Sequence, residues 1–271
     1  MFAEDKFRGA GEFREAVYAG KIFRLPPTPV TRELVAELTG ELEKNFGKLT
    51  TAHERFDFHT MREPLTGLRA RLASDSRYIS TLGDIASAAG AASEFAVDPF
   101  RLRCVLHGNH LNKGSEIAYA AHRDTWYGNP QCQLNFWIPL QDVAEEHSFM
   151  FYPALFDAPV PNSSRNFRYG EWSEKHGWQG SKNHVVTEFP TATAPLTGGR
   201  AFEARAGEIV VFSAAHLHQT VKNASGITRF SLDFRAVHLG DHARGLGAPN
   251  ADNASAPDAL RDYLFPKGKA A

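Results

Sequence analysis

Apolar residues recur at helical spacing through the first third of the chain and at strand spacing through its middle. The change of period falls near Asp98. After a short amphipathic opening, Pro26-Pro27-Thr28-Pro29 makes a rigid break. Thr31 then reads as the N-cap of a helix carrying Leu34, Val35 and Leu38, running to about Phe46 and stopped by Gly47. Two more helical stretches are predicted over 65–72 and 81–92, the second rich in alanine and suited to close packing on something flat. The N-terminal third is therefore expected to be mostly helical.

From Asp98 onward, short runs of β-formers alternate with Gly, Asn and Pro. Strands are predicted over 100–107, 118–123, 131–140, 148–152, 208–212, 217–222 and 228–237. Such spacing argues for an antiparallel sandwich or a closed barrel. Two of these runs have a polar and an apolar face. Gln133, Asn135 and Trp137 oppose Leu134, Phe136 and Ile138, while Arg229, Ser231, Asp233 and Arg235 oppose Phe230, Leu232 and Phe234. A strand that is polar inward and greasy outward suits a barrel with a wet interior, its outside covered by the N-terminal helices. One domain over 1–271 is expected: helical support over 1–97, a β core over 98–240 and a tail over 241–271, with a possible short helix at 257–264. A long segment, 153–207, interrupts the core. It is crowded with Arg165, Phe167, Arg168, Tyr169, Trp172, Lys175, His176, Trp178, Lys182 and His184, as a lid or binding loop would be.

Bulk properties narrow the class. The chain has 271 residues, 42% of them hydrophobic, and a formal net charge of −1. That balance gives no support for nucleic-acid binding or a polybasic membrane surface. Apolar runs such as 104–106 and 209–212 are far too short to span a bilayer, and the first residues lack the layout of a secretory signal. Cys104 and Cys132 make no disulfide framework, so a reduced, cytoplasmic setting is the default expectation.

The candidate chemistry lies in His122-Arg123-Asp124-Thr125-Trp126 and in a second stretch around His218. On an extended segment, residues two apart project to one face, so His122 and Asp124 can reach one ion together. Two histidines and a carboxylate leave coordination positions open, the pattern of non-haem Fe(II) oxygenases. Downstream, 215–222 reads as a turn feeding a strand, and Asn223-Ala224-Ser225-Gly226 as a hairpin turn. If Asn223 pairs with Gly226, Thr220 lies opposite Arg229, close enough for both to hold one carboxylate. Arginine suits such a clamp because its fork donates two parallel hydrogen bonds. His216 competes with His218 for the ligand position, and the distance to Arg229 favours His218. Taken singly, each residue has an ordinary structural meaning. Their joint occurrence, in order and on compatible strands, carries the weight.

His122-x-Asp124 followed by His218, Thr220 and Arg229 in that order and spacing resembles the Fe(II)/2-oxoglutarate-dependent dioxygenases, in particular the phytanoyl-CoA dioxygenase-like group, over roughly 98–240. The resemblance implies a mainly β, double-stranded β-helix (jelly-roll, cupin-like) fold, with the N-terminal helices on the outer face of its major sheet. It implies Fe(II) on His122, Asp124 and His218, with the far carboxylate of 2-oxoglutarate on Arg229 and Thr220. Gln133 or Asn135 would contact the other end of the co-substrate, with Arg101 or Arg103 as further contacts. The expected activity is O2-dependent hydroxylation of a small metabolite, releasing succinate and CO2. Because Asp124 supplies the carboxylate, halogenation is disfavoured. Trp126, Tyr127, Arg103, Arg168 and Trp172 are candidate substrate contacts, and the basic and aromatic lid suits a polar or anionic substrate. The competing classes are a cupin-like metal enzyme that does not use 2-oxoglutarate and a non-enzymatic jelly-roll binding protein. The first has no need of an inward arginine at this register, and the second predicts no O2 consumption and no succinate.

Overall fold

The computed structural model describes residues 1–4, 6–113, 115–176, 189–256 and 259–265. Helices α1 (Ala10–Tyr18), α2 (Pro29–Phe46), α3 (Arg62–Ser74) and α4 (Ser76–Ala86) fill the N-terminal third, with a short strand β1 (Phe23–Leu25) between the first two. Strands β2 (Phe95–Val105), β3 (Gln133–Pro139) and β4 (Phe149–Phe151) follow. After them come α5 (Tyr169–Lys175), β5 (Arg200–Ala201), β6 (Ile209–Ser213), β7 (His218–Thr220), β8 (Arg229–His238) and α6 (Leu239–Ala243). The expected helical period falls on α2 and α3 and the two-residue period on β3 and β8, while the helix expected over 81–92 ends at Ala86. The start of α2 differs. Thr28, not Thr31, is its N-cap, because Pro29 can occupy the first helical position, where its missing N–H costs nothing. The two threonines form a reciprocal cap, each hydroxyl accepting the other's backbone N–H at 3.0 and 3.1 Å.

All strand pairings within the two sheets are antiparallel. One sheet has five strands in the order β1-β6-β3-β8-β2, the other three in the order β5-β4-β7. The molecule is mainly β with flanking helices. Leu134, Phe136 and Ile138 of β3 and Phe230, Leu232 and Phe234 of β8 share one core with Leu34, Leu38 and Leu42 of α2 and Leu65, Leu68 and Leu72 of α3. Phe136 and Phe234, direct cross-strand partners, stack at 4.6 Å between centroids and 8° between planes. The helices therefore cover the apolar face of the large sheet and leave Asn135, Asp233 and Arg235 on the opposite face. Trp137, on that polar face, joins a separate aromatic cluster with Phe149, Phe202 and Phe212.

Strand β2 lies at the sheet's edge, and its register slips between Asp98 and Arg101, around Pro99. Proline lacks the ladder's N–H and is tolerated at an edge or a bulge. The extra residue turns Asp98 and Arg101, three apart, to one side, where Arg101 reaches the Asp98 carboxylate at 2.5 Å. The C-terminal segment docks beside β2, with Val97 and Leu264 exchanging two backbone hydrogen bonds of 2.7 Å.

Two expectations need correction. Residues 118–123 are not a strand. A 3-10 turn covers Glu116–Tyr119, and only His122 then makes a β-bridge. Nor do 217–222 and 228–237 form a hairpin. Thr220 is opposite Phe149 in the small sheet and Arg229 is opposite Val105 in the large one. The link 221–228 crosses from sheet to sheet. Asn223, fully buried, holds that crossing by donating to Ile227 and Val105 carbonyls at 2.7 and 3.2 Å and accepting from the Ser225 N–H. A hairpin turn and a crossover of this length share the same Asn and Gly, so local sequence did not separate them. Part of the expected lid, with Trp178, Lys182 and His184, lies outside the described residues, as do Pro257 and part of the tail. Among the described residues no helix is long and apolar enough to cross a membrane.

Phe234 sits at the centre of the sheet–helix core. Phe234→Ala is expected to cost about 3–5 kcal/mol, read as a lower midpoint in urea unfolding with an unchanged slope. A loss under about 1 kcal/mol would place the structural centre elsewhere.

Candidate metal centre

His122 and His218 face each other across a single β-bridge, each N–H donating to the other's carbonyl at 2.9 and 3.0 Å. Directly opposed residues project to the same side, and the two ring centroids lie 4.4 Å apart. Each ring places Nδ1 on a nearby backbone carbonyl, His122 on Ala120 at 3.1 Å and His218 on His216 at 2.9 Å. Those carbonyls can only accept, so the proton sits on Nδ1 and each Nε2 keeps its lone pair. Burial, reinforced by the neighbouring His122, pushes His218 down to about 3, which keeps it neutral at ordinary pH. Tyr127 stacks on His122 at 5.1 Å and 20°, and Phe212 packs edge-on to His218 at 5.3 Å.

Asp124 opens a 3-10 turn over Asp124–Tyr127 instead of continuing the extended segment. Its backbone carbonyl accepts from Asn129 at 2.8 Å. Its Oδ2 accepts from Asn135 Nδ2 at 2.8 Å and from Arg235 Nε at 2.9 Å. Its Oδ1 is buried, has no hydrogen-bond partner among the described residues, and lies 3.6 Å from His122 Nε2. Burial would raise this carboxyl group, but the Arg235 guanidinium holds it well below the usual carboxylate range. One ligand atom from each of His122, Asp124 and His218 lies within 4.8 Å of the others. Two lone-pair nitrogens and an unsatisfied carboxylate oxygen converging on one point fit a divalent first-row metal.

Around this triad the polar face of the large sheet is laced with charge. Arg235 bridges Asp124 and Asp98, Arg101 also binds Asp98, and Arg103 grips Asp233 through Nε at 2.6 Å and Nη2 at 3.2 Å. Asp98, Asp124 and Asp233 are thereby matched by Arg101, Arg103 and Arg235. Arg229 is left over. It is 4% exposed, donates Nη1 to the His147 carbonyl at 3.0 Å, and lies 5.8 Å from the Trp137 ring. Among the described residues its buried Nε has no hydrogen-bond partner, and neither has Ser231 Oγ, two residues along on the same face. Burial lowers Arg229 to about 10, so it stays charged at neutral pH. Thr220 projects to the same side of its strand as His218, so it faces the inter-sheet space from the opposite sheet and is not a cross-strand partner of Arg229.

The other expected site residues divide. Gln133 and Asn135 have both ends of their carboxamides engaged inside the protein and are not turned to open space. Tyr127 lies at the centre through its stack on His122, with Phe189 4.7 Å away. Trp126 is fully buried, its indole N–H on Asp252 at 2.7 Å, and Trp172 is buried in the same apolar cluster. Both pack as core. Arg103 is tied to Asp233 with its side chain still 40% exposed. Arg168 is exposed and holds the carbonyls of Arg165 and Phe167. His216, the rival for the ligand position, is turned away, with Nε2 on the Gly20 carbonyl at 3.1 Å and Nδ1 in the 213–216 turn.

Arg123, between His122 and Asp124, had no role assigned from sequence. It is 1% exposed and donates to the carbonyls of Leu155, Phe156, Ala158 and Ala215 and to the Asp252 carboxylate. Alternation alone puts it on the face opposite His122 and Asp124, which was the available signal. It buckles the ligand loop to three other segments.

No family model matches the sequence, and no curated protein does either. Solved structures do match in fold. EvdO2 from Micromonospora carbonacea var. aurantiaca superposes with a TM-score of 0.52 at 16% identity, over 88% of this chain and 94% of that one. Its complex with 2-oxoglutarate gives 0.50 at the same identity and coverage. The non-haem α-ketoglutarate-dependent epimerase SnoN, from nogalamycin biosynthesis, gives 0.43 at 17% identity, over 83% of each chain. The likeness to EvdO2 shows a shared fold extending over most of both chains.

Removing the Arg123 buckle strands four carbonyls and a buried carboxylate. Arg123→Met is expected to cost about 3–5 kcal/mol of stability, measured by chemical denaturation. A variant as stable as the wild type would show that the loop is held by other contacts.

Proposed function

We propose that the protein is an Fe(II)- and 2-oxoglutarate-dependent oxygenase of the phytanoyl-CoA dioxygenase-like type, acting on a small molecule. The five- and three-stranded sheets are read as the two walls of a double-stranded β-helix, with the site between them. One observation carries the reading. A carboxylate oxygen, a guanidinium Nε and a hydroxyl, all buried and all without partners, stand on the inter-sheet side together with two histidines whose lone pairs are free. Unpaired buried polar groups are expensive, so a site that keeps several of them on one side is built for a ligand. A metal satisfies Asp124 Oδ1 and the imidazoles, and a carboxylate satisfies Arg229 and Ser231. The fold shared with EvdO2, a protein crystallised with 2-oxoglutarate, supports the diacid as co-substrate.

In this reading His122 Nε2, Asp124 Oδ1 and His218 Nε2 hold the iron, and Arg229, Thr220 and Ser231 receive the far carboxylate of the co-substrate. When bound, ferrous iron with 2-oxoglutarate and O2 supplies the oxidising power for C–H hydroxylation, with release of succinate and CO2. The protein's own part is positioning. The carbonyls of Ala120 and His216 accept from Nδ1–H of the two imidazoles and so turn Nε2 of each toward the site. Arg235 and Asn135 keep Asp124 ionised and oriented. Trp137 shelters Arg229 from water, so that a carboxylate there meets a guanidinium in a low-dielectric setting. The ring of Tyr127, stacked on His122 and packed with Phe167 and Phe189, walls the side from which an organic substrate would approach. The partly exposed Arg103–Asp233 pair gives that side a polar grip. A metal enzyme without 2-oxoglutarate leaves Arg229 and Ser231 with nothing to bind.

Anaerobic Fe(II) added with 2-oxoglutarate is expected to give the weak visible absorption of an iron–keto-acid chelate. Arg229→Ala should weaken 2-oxoglutarate binding by about 100-fold or more, as loss of roughly 3 kcal/mol of charge-assisted hydrogen bonding implies. Its Fe(II) affinity should stay within about twofold of wild type, read by chelator competition. Unchanged co-substrate affinity would remove Arg229 from the site, and absence of the band in the wild type would remove 2-oxoglutarate from the function.

A further inference from the structure

Tyr263, from the C-terminal segment, is hydrogen-bonded into the core beneath the triad. Its hydroxyl donates to Gln133 Oε1 at 2.5 Å. Gln133 Nε2 donates to Asn135 Oδ1 at 2.7 Å, and Asn135 Nδ2 donates to Asp124 Oδ2 at 2.8 Å. All four side chains are buried, Gln133 completely. The order of donors and acceptors matters more than the distances. A carboxamide can turn over and present oxygen where it had presented nitrogen. Here each amide oxygen is claimed by the donor before it, so both amides are locked with their N–H groups aimed toward Asp124. A flipped Asn135 would set its oxygen against a carboxylate oxygen. A flipped Gln133 would remove the donor that prevents this.

We propose that Tyr263, Gln133 and Asn135 form a one-way relay by which the C-terminal segment orients Asp124 and commits it to bind metal through Oδ1 alone. With Arg235 Nε also on Oδ2, the second oxygen carries two donors and is withdrawn from coordination. Single-oxygen ligation leaves more positions free for exogenous ligands, as an oxygenase requires. The relay also gives a reason for the place of the C-terminal segment. The Val97–Leu264 bridge fixes the backbone beside β2, and Tyr263 carries that placement through two strand side chains to the metal ligand. Tyr263, Gln133 and Asn135 are positioning residues, since they act only through Asp124. The inference rests on the metal reading of His122, Asp124 and His218.

The test is the affinity of the full-length, metal-free protein for Fe(II) alone, measured anaerobically by chelator competition, with no co-substrate and no turnover. Asn135→Ala is expected to weaken binding by about 10- to 100-fold, as loss of an outer partner of a ligand does. Tyr263→Phe, which keeps the ring and removes only the hydroxyl, is expected to weaken it severalfold. The decisive measurement is the double variant. Because the tyrosine acts through the asparagine, Tyr263→Phe should cause no further loss once Asn135 is alanine. If Asn135→Ala does not fold, Gln133→Met keeps the side chain's length, breaks the relay at its middle link, and should silence Tyr263→Phe in the same way. Wild-type protein that takes up no Fe(II) overturns the metal reading and the relay with it. Wild-type protein that binds while Tyr263→Phe binds equally tightly, or while the two losses add, overturns the relay and leaves the metal reading standing.

Discussion

Two backbone hydrogen bonds between His122 and His218 set the terms for the rest of the site. They extend the small sheet by one residue and place two imidazoles side by side, each with Nδ1 on a local carbonyl. Asp124 lies two residues beyond His122, and it reaches the same point as the chain leaves the extended conformation and enters a 3-10 turn. Arg123, between them, is what holds that turn. Its guanidinium gathers carbonyls from 155–158 and 215 and the carboxylate of Asp252. A small bridge and one buried arginine thus position three side chains that the chain alone would leave mobile.

The large sheet supplies the opposite wall, and its two faces do different work. One face is apolar and pressed against α2 and α3, with Phe136 on Phe234 at its centre. The other carries alternating charge that burial makes costly unless each group is matched. Asp98, Asp124 and Asp233 are matched by Arg101, Arg103 and Arg235, helped by a bulge at Pro99 that brings Asp98 and Arg101 to the same side. Arg229 has no carboxylate partner among the described residues. A stray surface arginine would mean little. One that is buried, sheltered by Trp137 and two residues from an unsatisfied serine has the character of a receptor for an anion.

Much of this was legible along the chain. The polar and apolar alternation of β3 and β8 named which side chains would meet the helices and which would face the site, because a strand's period of two leaves no other choice. His122, Asp124 and His218 were recognisable by type, order and spacing. In the structure His218 stands beside His122 and Asp124, while His216 is turned to Gly20. Gln133 and Asn135 were given a contact with co-substrate, whereas the structure joins Asn135 to Asp124 and Gln133 to Asn135. Nothing local shows that a tyrosine more than a hundred residues downstream will claim the Gln133 oxygen. Trp126 and Trp172 were offered to the substrate for their size and location, and tertiary packing buried both.

Periodicity and residue type determined, from the sequence alone, the helical and strand regions, the polar and greasy faces, and the three side chains able to meet at one ion. Tertiary structure alone decided which strand each would lie beside. Asn223-Ala224-Ser225-Gly226 satisfies the local rules of a hairpin, yet the chain uses it to cross between sheets, putting Thr220 opposite Phe149 and Arg229 opposite Val105. The physical reason is that a turn's dihedral preferences are settled within a few residues. Strand partners are chosen by the free energy of burying whole faces, a sum over residues far apart in the chain.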